Sequence, residues 1–500
     1  MTERGTNQTL SRDPGLSGGG NDAELLDLVI VGAGVSGLAL AREVLERRAE
    51  WSVALLESED QPGGTMRSDW VGGCLCEWGP NGFLTNVPHT WDLAHEVGLG
   101  ERILVANGKA ERRYLWVNGA LRALPMKPAA FFTSDLLSRR GRARVLLEPF
   151  MPRGPVGGDE SVFAFASRRI GREAASVLVD AMVSGIYAGD PENLSLQSAF
   201  PRMKQMEEEH GSLVKAMIAK MRASRRTKVK SGGPMGPGGK LTSFDEGMQV
   251  LIQRLAEIAG PRLSLSTRVV DLEPVEGGYR IDTIRNGSPW TLRARRVALA
   301  TPSFAGQAIL KRRFASVART LEAIPYAGIT VACLVYDRQQ IAHDLDGFGF
   351  IIPRGQGARL LGCIWNGSIF PPHVTNQRVL MRTMVGGARD PEGAALSEGR
   401  TVDLVHGELG RMLGGITGMP KATRLFRHPK GIPQYVMGHP ERLQRLEQDL
   451  REYPGLYLLN NAYRGIGVND CVREAKALAE RLVGGAAGRS DLPATVEAVL

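Results

Sequence analysis

The sequence predicts an α/β fold in which a parallel βαβ unit is joined to an antiparallel sheet and an inserted helical region. Three observations predict it. Near the start, Leu28–Val31 reads as a buried strand, residues 38–46 as a helix behind a glycine-rich turn, and residues 53–57 as the next strand. Residues 329–336, 347–352, 358–365 and 379–385 are short strand-like runs, consistent with an antiparallel sheet. Between these parts, residues 161–184 space Phe163, Ile170, Val177, Leu178 and Met182 at helical intervals.

The chain has 500 residues, 43% of them hydrophobic, which suits two or three domains and excludes one small binding module. Residues 1–24 carry Gly18, Gly19 and Gly20 and acids at Glu3, Asp13, Asp22 and Glu24. They lack both an apolar signal core and the acid-poor character of a transit peptide, and read as a disordered leader. The first βαβ unit requires a right-handed crossover. From about residue 90 the pattern turns helical. Between Lys215 and Lys230 seven basic residues occur with no acidic one, followed by a Gly/Pro-rich stretch at 231–239. This is read as a basic linker, or as a contact for an anionic membrane surface. A helix at 249–258 and strands at 263–273, 279–283 and 296–300 follow. The last strand, 456–459, leads through a glycine-rich turn into a helix at 470–483.

The five cysteines are an odd number without a C-x-x-C pair, which speaks against a disulfide framework or zinc site and for a reducing compartment. None of the eight histidines clusters with carboxylates or cysteines at ligand spacing, so no metal is expected. The net charge of +9 favours an anionic partner, whether lipid headgroup, nucleic acid or carboxylated ligand, and does not choose among them. No apolar run reaches the roughly 18 residues that span a bilayer, so membrane contact would be peripheral.

The segment Val31-Gly32-Ala33-Gly34-Val35-Ser36-Gly37 joins strand to helix, where glycines allow a tight turn and bring backbone N–H groups to a pyrophosphate. Glu57 ends the second strand, where a carboxylate binds ribose hydroxyls. The fingerprint alone leaves NAD and FAD open.

The continuation, from Glu57-Ser58 through Gly63-Gly64-Thr65-Met66-Arg67, resembles the E-x(5)-G-G-x-x-R run of the flavin amine oxidase superfamily. That resemblance implies FAD. It lets the loop of Gly63 and Gly64 pass close to the flavin, with Gly64 and Thr65 among the cofactor-binding residues, gives Arg67 a phosphate or loop contact, and sets Gly79, Pro80, Asn81 and Gly82 along the isoalloxazine. It also brings the backbone of Val269 to the adenine and makes Ala300-Thr-Pro302 the return of that strand. Asn461, Ile466, Gly467 and Val468 then form a second flavin-facing helix start, whose positive dipole end suits the N1/O2 edge of reduced flavin. The family usually has glycine where this chain has Asn460.

Segments 185–191, 200–213, 243–249, 385–389 and 465–471 are similar to the porphyrinogen oxidase branch of that superfamily, and the likeness covers about residues 26–485. It implies that Arg113 pairs with a substrate propionate, where a guanidinium binds a carboxylate bidentately. Ile351, Ile364 and Met384 would sandwich the macrocycle, with Gly185 also at the substrate. No protein side chain is expected to be catalytic, because FAD performs the chemistry.

The implied division is an FAD-binding domain from residues 25–95, 240–305 and 440–485, a helical membrane-associating domain at 96–215, and a linker at 216–239. A substrate domain at 306–439 and a tail at 486–500 complete it. The reaction implied is oxygen-dependent oxidation of protoporphyrinogen IX in three two-electron steps, with hydrogen peroxide released. The expected partners are dioxygen, a membrane surface and a second copy of the chain, but no nucleic acid, in a cytoplasmic, peripherally membrane-associated protein. Coproporphyrinogen III oxidation, amine oxidation and a flavin-binding scaffold without turnover stay open as alternatives.

Overall fold

The computed structural model describes residues 24–125, 131, 134–154, 157–227, 239–375 and 377–484. Nearly all of the expected leader, the end of the expected linker and the expected tail lie outside them.

Five parallel strands form the first sheet, in the order Leu263–Ser264, Val53–Leu56, Leu28–Val31, Val297–Leu299 and Leu456–Leu458. Alternation sends Leu28 and Ile30 to one face and Val29 and Val31 to the other, and both faces are buried. This is why the strand reads as a continuous apolar run. Helices Val35–Arg47, Gln249–Ala259 and Val468–Val483 cover the first face. The antiparallel strands Thr267–Val275, Gly278–Arg285 and Ser288–Ala294 and the helix Ala315–Glu322 cover the second.

The second large sheet has seven strands, ordered Ala422–Pro433, Tyr326–Asp337, Arg378–Gly386, Leu360–Trp365, Gly349–Ile351, Tyr114–Val117 and Ala120–Ala123. Its pairings are antiparallel except between Gly349–Ile351 and Tyr114–Val117. Helix Glu398–Met412 packs Val405, Leu409 and Met412 on one face against Leu334, Met381 and Trp365. The hairpin Ser68–Val71 and Cys74–Glu77 covers one end of the opposite face with Cys74 and Cys76, against Val331 and Phe426.

Several elements depart from the expectations. The single helix expected over 161–184 is broken at Gly171, whose φ of +89° ends Val162–Ile170. A π-type turn at Ala175–Val179 then leads into Asp180–Tyr187. The region expected to be helical from residue 96 first contributes three strands, and two of them extend the seven-stranded sheet. Their hairpin turns on Asn118-Gly119, both at positive φ, as a two-residue turn requires. The basic run expected as linker is helical as far as Thr227, in Leu213–Thr227. Strand Ala422–Pro433 was not anticipated, because its Pro429 and Gly431 suit only the edge position it occupies.

Candidate active site

The glycine turn forms as its residue types require. Gly32 has φ +102°, and a Cβ there would meet the Ala300 carbonyl oxygen at 2.9 Å. A Cβ on Gly37 would lie 1.9 Å from the Gly32 oxygen, so helix and strand approach only because the side chain is absent. At Gly34 the same position is open, with nothing within 4 Å, at the N-terminus of Val35–Arg47. Ser36 is buried. The Glu57 carboxylate accepts from the Ala33 N–H at 2.8 Å, the Ser58 hydroxyl at 3.1 Å and the Glu59 N–H at 3.0 Å. It is therefore fixed beside the turn. The Glu57 oxygen accepts from Thr267 N–H at 2.7 Å, which places the strand bearing Val269 alongside; the Val269 side chain itself is in the core.

Backbone contacts fold the next loop onto that turn. Gly63 N–H donates to the Ala33 oxygen at 2.8 Å, and both Gly63 and Gly64 have positive φ. A Cβ on Gly79 would meet the Thr65 oxygen at 2.6 Å, so the two expected flavin loops touch. Arg67 lies over the Trp78 ring at 5.2 Å. Four buried polar atoms here, Arg67 Nε, Trp78 Nε1, Asn81 Nδ2 and Thr301 Oγ1, have no hydrogen-bond partner within the protein. Together with the open face at Gly34 and the fixed carboxylate of Glu57, they fit a bound FAD.

The C-terminal loop joins the same assembly. Asn460 has no positive φ, and its side chain accepts from the Ala462 N–H at 2.9 Å, so asparagine serves where the family has glycine. Asn469 accepts from Thr90 N–H at 3.0 Å and donates to the Leu84 oxygen at 2.9 Å, tying the start of Val468–Val483 to the 79–84 segment. Gly467 caps that helix, and Ile466 packs against Tyr187 and Tyr435. The Tyr435 hydroxyl donates to the Asn461 oxygen at 2.6 Å, and its ring stacks on His439. Burial pushes the Tyr435 pKa up and lowers His439 to about 4, so both stay neutral near pH 7. Tyr463 is buried in the core of the parallel sheet.

On the seven-stranded sheet, register brings the three expected sandwich residues to one face. Ile351 pairs with Gly362, Gly362 with Met384, and Ile364 with Gly349 on one side and Arg382 on the other. Directly opposed residues share a face, so Ile351, Ile364 and Met384 stand together with Gly349 and Gly362 between them. The two glycines add no side chain to this row, and a Cβ on either would run into neighbouring backbone, at 2.0 Å from the Cys363 oxygen for Gly349 and 2.5 Å from the Phe350 oxygen for Gly362. Gly185, on Asp180–Tyr187, abuts the same row, since a Cβ there would lie 2.7 Å from Ile351 Cδ1.

Arg112 and Arg113 separate cleanly. Arg112 pairs with Asp346, which also accepts from Tyr114 at 2.8 Å. Arg113 makes no ion pair among the described residues; its guanidinium lies 5.3 Å from the centre of Phe348, which packs beside Ile364. Desolvation by its neighbours lowers its pKa from the usual arginine value.

Sequence reasoning missed Glu77, Asn366 and Arg382. Glu77 accepts from Ser68 Oγ at 2.7 Å and Met248 N–H at 2.8 Å, and burial raises its carboxyl to about 7. Asn366, fully buried, donates to Asn81 Oδ1 at 3.0 Å. Arg382 shares the period-2 face of Met384, so an alternation count on that strand would have found it.

Comparison with known proteins agrees with this geometry. The family model for flavin-containing amine oxidoreductases matches residues 35–483. The chain is 30% identical to the chloroplastic protoporphyrinogen oxidase of Nicotiana tabacum, over 93% of this chain and 87% of that protein. It is also 30% identical to the coproporphyrinogen III oxidase of Bacillus subtilis (strain 168), over 90% of this chain and 96% of that one. A crystal structure from Exiguobacterium sp. 255-15, provisionally assigned as a protoporphyrinogen oxidase, superposes with TM-score 0.77 at 25% identity, covering 92% of this chain and 99% of that one. The protein is thus an FAD-dependent oxidoreductase, and the chain belongs to the flavin-containing amine oxidoreductase family.

Proposed function

We propose that this protein oxidises protoporphyrinogen IX to protoporphyrin IX, with dioxygen as the terminal acceptor. The observation that carries the reading is the row of Ile351, Ile364 and Met384 on one face of the seven-stranded sheet, with Arg113, which makes no ion pair among the described residues, over Phe348 nearby. Apolar walls suit a tetrapyrrole, and one free guanidinium suits a propionate. Gly32, Gly34, Gly37, Glu57 and Arg67 would hold the dinucleotide, and residues 79–82, 461 and 466–468 the flavin end. FAD held there would supply two-electron oxidation chemistry, with dioxygen as the final acceptor and hydrogen peroxide as its product. Three such rounds remove six electrons. The residues of the chain bind and orient the macrocycle and exclude water; protons released from pyrrole nitrogens pass to solvent.

Coproporphyrinogen III is the second reading, supported by the Bacillus subtilis relative, as similar as the Nicotiana tabacum one. That substrate has four propionates, and an apolar row with Arg113 beside it favours the dicarboxylate. Porphyrin fluorescence after each porphyrinogen is supplied aerobically tests the choice. At least a tenfold preference in kcat/KM for protoporphyrinogen is expected, and the reverse preference would reassign the substrate.

The reading includes peripheral contact with a membrane. Leu146, Leu147 and Phe150 are exposed on one segment, and Met217, Ile218 and Met221 on helix Leu213–Thr227. Glu148 joins the two by accepting from Leu213 N–H at 2.9 Å and Val214 N–H at 3.2 Å. Lys215, Lys220 and Arg222 flank the apolar side chains, the composition of a surface that lies on anionic lipid. No helix among the described residues is long and apolar enough to cross a membrane. A cytoplasmic homodimer docked in this way completes the reading, and its mass in solution tests the dimer.

A further inference from the structure

Arg382 has no role in the site so far. It is 4% exposed and stands on the apolar face between Ile364 and Met384, where a hydrophobic side chain would pack without penalty. A buried charge is costly unless paired, yet Arg382 makes no ion pair with any described residue. Its partners are neutral. Nε donates to the Glu77 backbone oxygen at 3.2 Å, Nη2 donates to the Gly79 oxygen at 2.5 Å, and Nη1 lies 3.9 Å from Met384 Sδ. The neighbouring Glu77 carboxyl feels the Arg382 charge, but its hydrogen bonds go to Ser68 and the Met248 N–H, and burial, which raises its carboxyl to about 7, disfavours the anion that would balance the guanidinium.

The guanidinium fork therefore spans from the substrate wall to the start of the 79–82 loop. A guanidinium keeps its charge at any physiological pH. Reduction makes the flavin ring system more electron-rich, and in a water-poor interior a nearby buried cation would stabilise that state more than it does in water. A residue needed only to hold the loop could have been neutral, such as glutamine.

We propose that Arg382 is a positioning residue: its fork holds the 79–82 loop against the substrate sheet, and its buried charge favours the reduced flavin. This rests on reading the 79–82 loop as the wall of the isoalloxazine.

The test is the flavin midpoint potential of the purified holoenzyme, measured by anaerobic equilibration with reference dyes, for the wild type, Arg382→Gln and Arg382→Lys, with FAD affinity measured in parallel. Arg382→Gln retains FAD, and its reduction equilibrium falls about tenfold, or about 30 mV for a two-electron couple. Arg382→Lys keeps the charge and stays within about threefold of wild type. An equilibrium for Arg382→Gln within twofold of wild type overturns the proposal, as does an equal fall in Arg382→Lys, or loss of FAD from both. Gly79→Ala separates the underlying reading. Its Cβ would press on the Thr65 oxygen at 2.6 Å, so an unchanged flavin spectrum and potential in that variant would remove the loop from the flavin and sink that reading instead.

Discussion

Arg112 and Arg113 differ by one position and by everything they touch. The first is held by Asp346, and the second has a free guanidinium over Phe348 beside the apolar wall. A propionate bound there gains charge-assisted hydrogen bonds worth about 1.5–3 kcal/mol, in the ground state and transition state alike. Arg113→Ala should therefore raise KM by about tenfold to a hundredfold with kcat nearly unchanged. Arg112→Ala should do neither, and steady-state kinetics of the two variants side by side decides it. Glu77 gives a pH-dependent prediction. Burial raises its carboxyl from 4.5 to about 7, so the folded state keeps a proton that the unfolded chain releases. The associated stability is present below about pH 4.5 and is lost as the pH rises to about 7, at roughly 1.4 kcal/mol per unit. Glu77→Gln should thus gain Tm over wild type at about pH 8, by at least about 2 °C, and gain little at about pH 5. Equal differences at both pH values would contradict this. What was legible at this scale was residue type within a motif: Gly32 and Gly64 take the positive φ that a glycine turn calls for, and Glu57 lies against the turn through the Ala33 N–H. Glu77 and Asn366 were illegible because their partners, Met248 and Asn81, are remote in sequence and meet only in the folded chain.

Elements placed by local pattern matched best. The βαβ unit was readable because strand burial on both faces and the glycine turn are recorded within thirty or so residues. Helix Val468–Val483 was readable from its amphipathic spacing and differs from expectation by two residues at its start. Strands Tyr114–Val117 and Ala120–Ala123 were not assigned, although Asn118-Gly119 is a hairpin signal, because the sheet they join is supplied by residues more than 200 positions later. The break at Gly171 was passed over because the apolar spacing resumes beyond it. The glycine turn makes a prediction about ligand and fold separately. Gly34→Ala fills only open space, and its φ of −73° suits alanine, so the apoprotein should fold with unchanged Tm. Its FAD affinity should fall by at least about tenfold as the methyl group meets the pyrophosphate. Gly37→Ala drives a Cβ into the Gly32 oxygen and should lower the Tm of the apoprotein itself. FAD titration with thermal melting of the two apoproteins checks both, and a Gly34→Ala protein that binds FAD normally would remove the pyrophosphate from this turn.

At the scale of the whole molecule, the parallel sheet, the seven-stranded sheet and the helical segment would each supply one wall of the proposed site. The hydrogen bonds of Arg382, Asn366, Tyr435 and Asn469 tie them together across long stretches of chain. The mixed α/β class with a parallel and a mainly antiparallel sheet followed from the sequence, whereas these ties did not, since each links a single side chain to a backbone or amide on another element. The exposed apolar group around Phe150 and Met221 belongs to this scale too. Phe150→Glu with Met221→Glu should abolish co-sedimentation with anionic vesicles while leaving kcat in detergent within about twofold, because the pair removes exposed apolar area and touches no residue proposed to hold FAD or substrate. Retained vesicle binding would move the membrane contact elsewhere. The central claim is that FAD and a porphyrinogen meet between the two sheets, and its most direct measurement is anaerobic flavin bleaching by protoporphyrinogen IX in a stopped-flow spectrometer. The account predicts rapid loss of the oxidised flavin bands with porphyrin appearing at the same rate, and slower bleaching by coproporphyrinogen III. A flavin that neither porphyrinogen bleaches would contradict it.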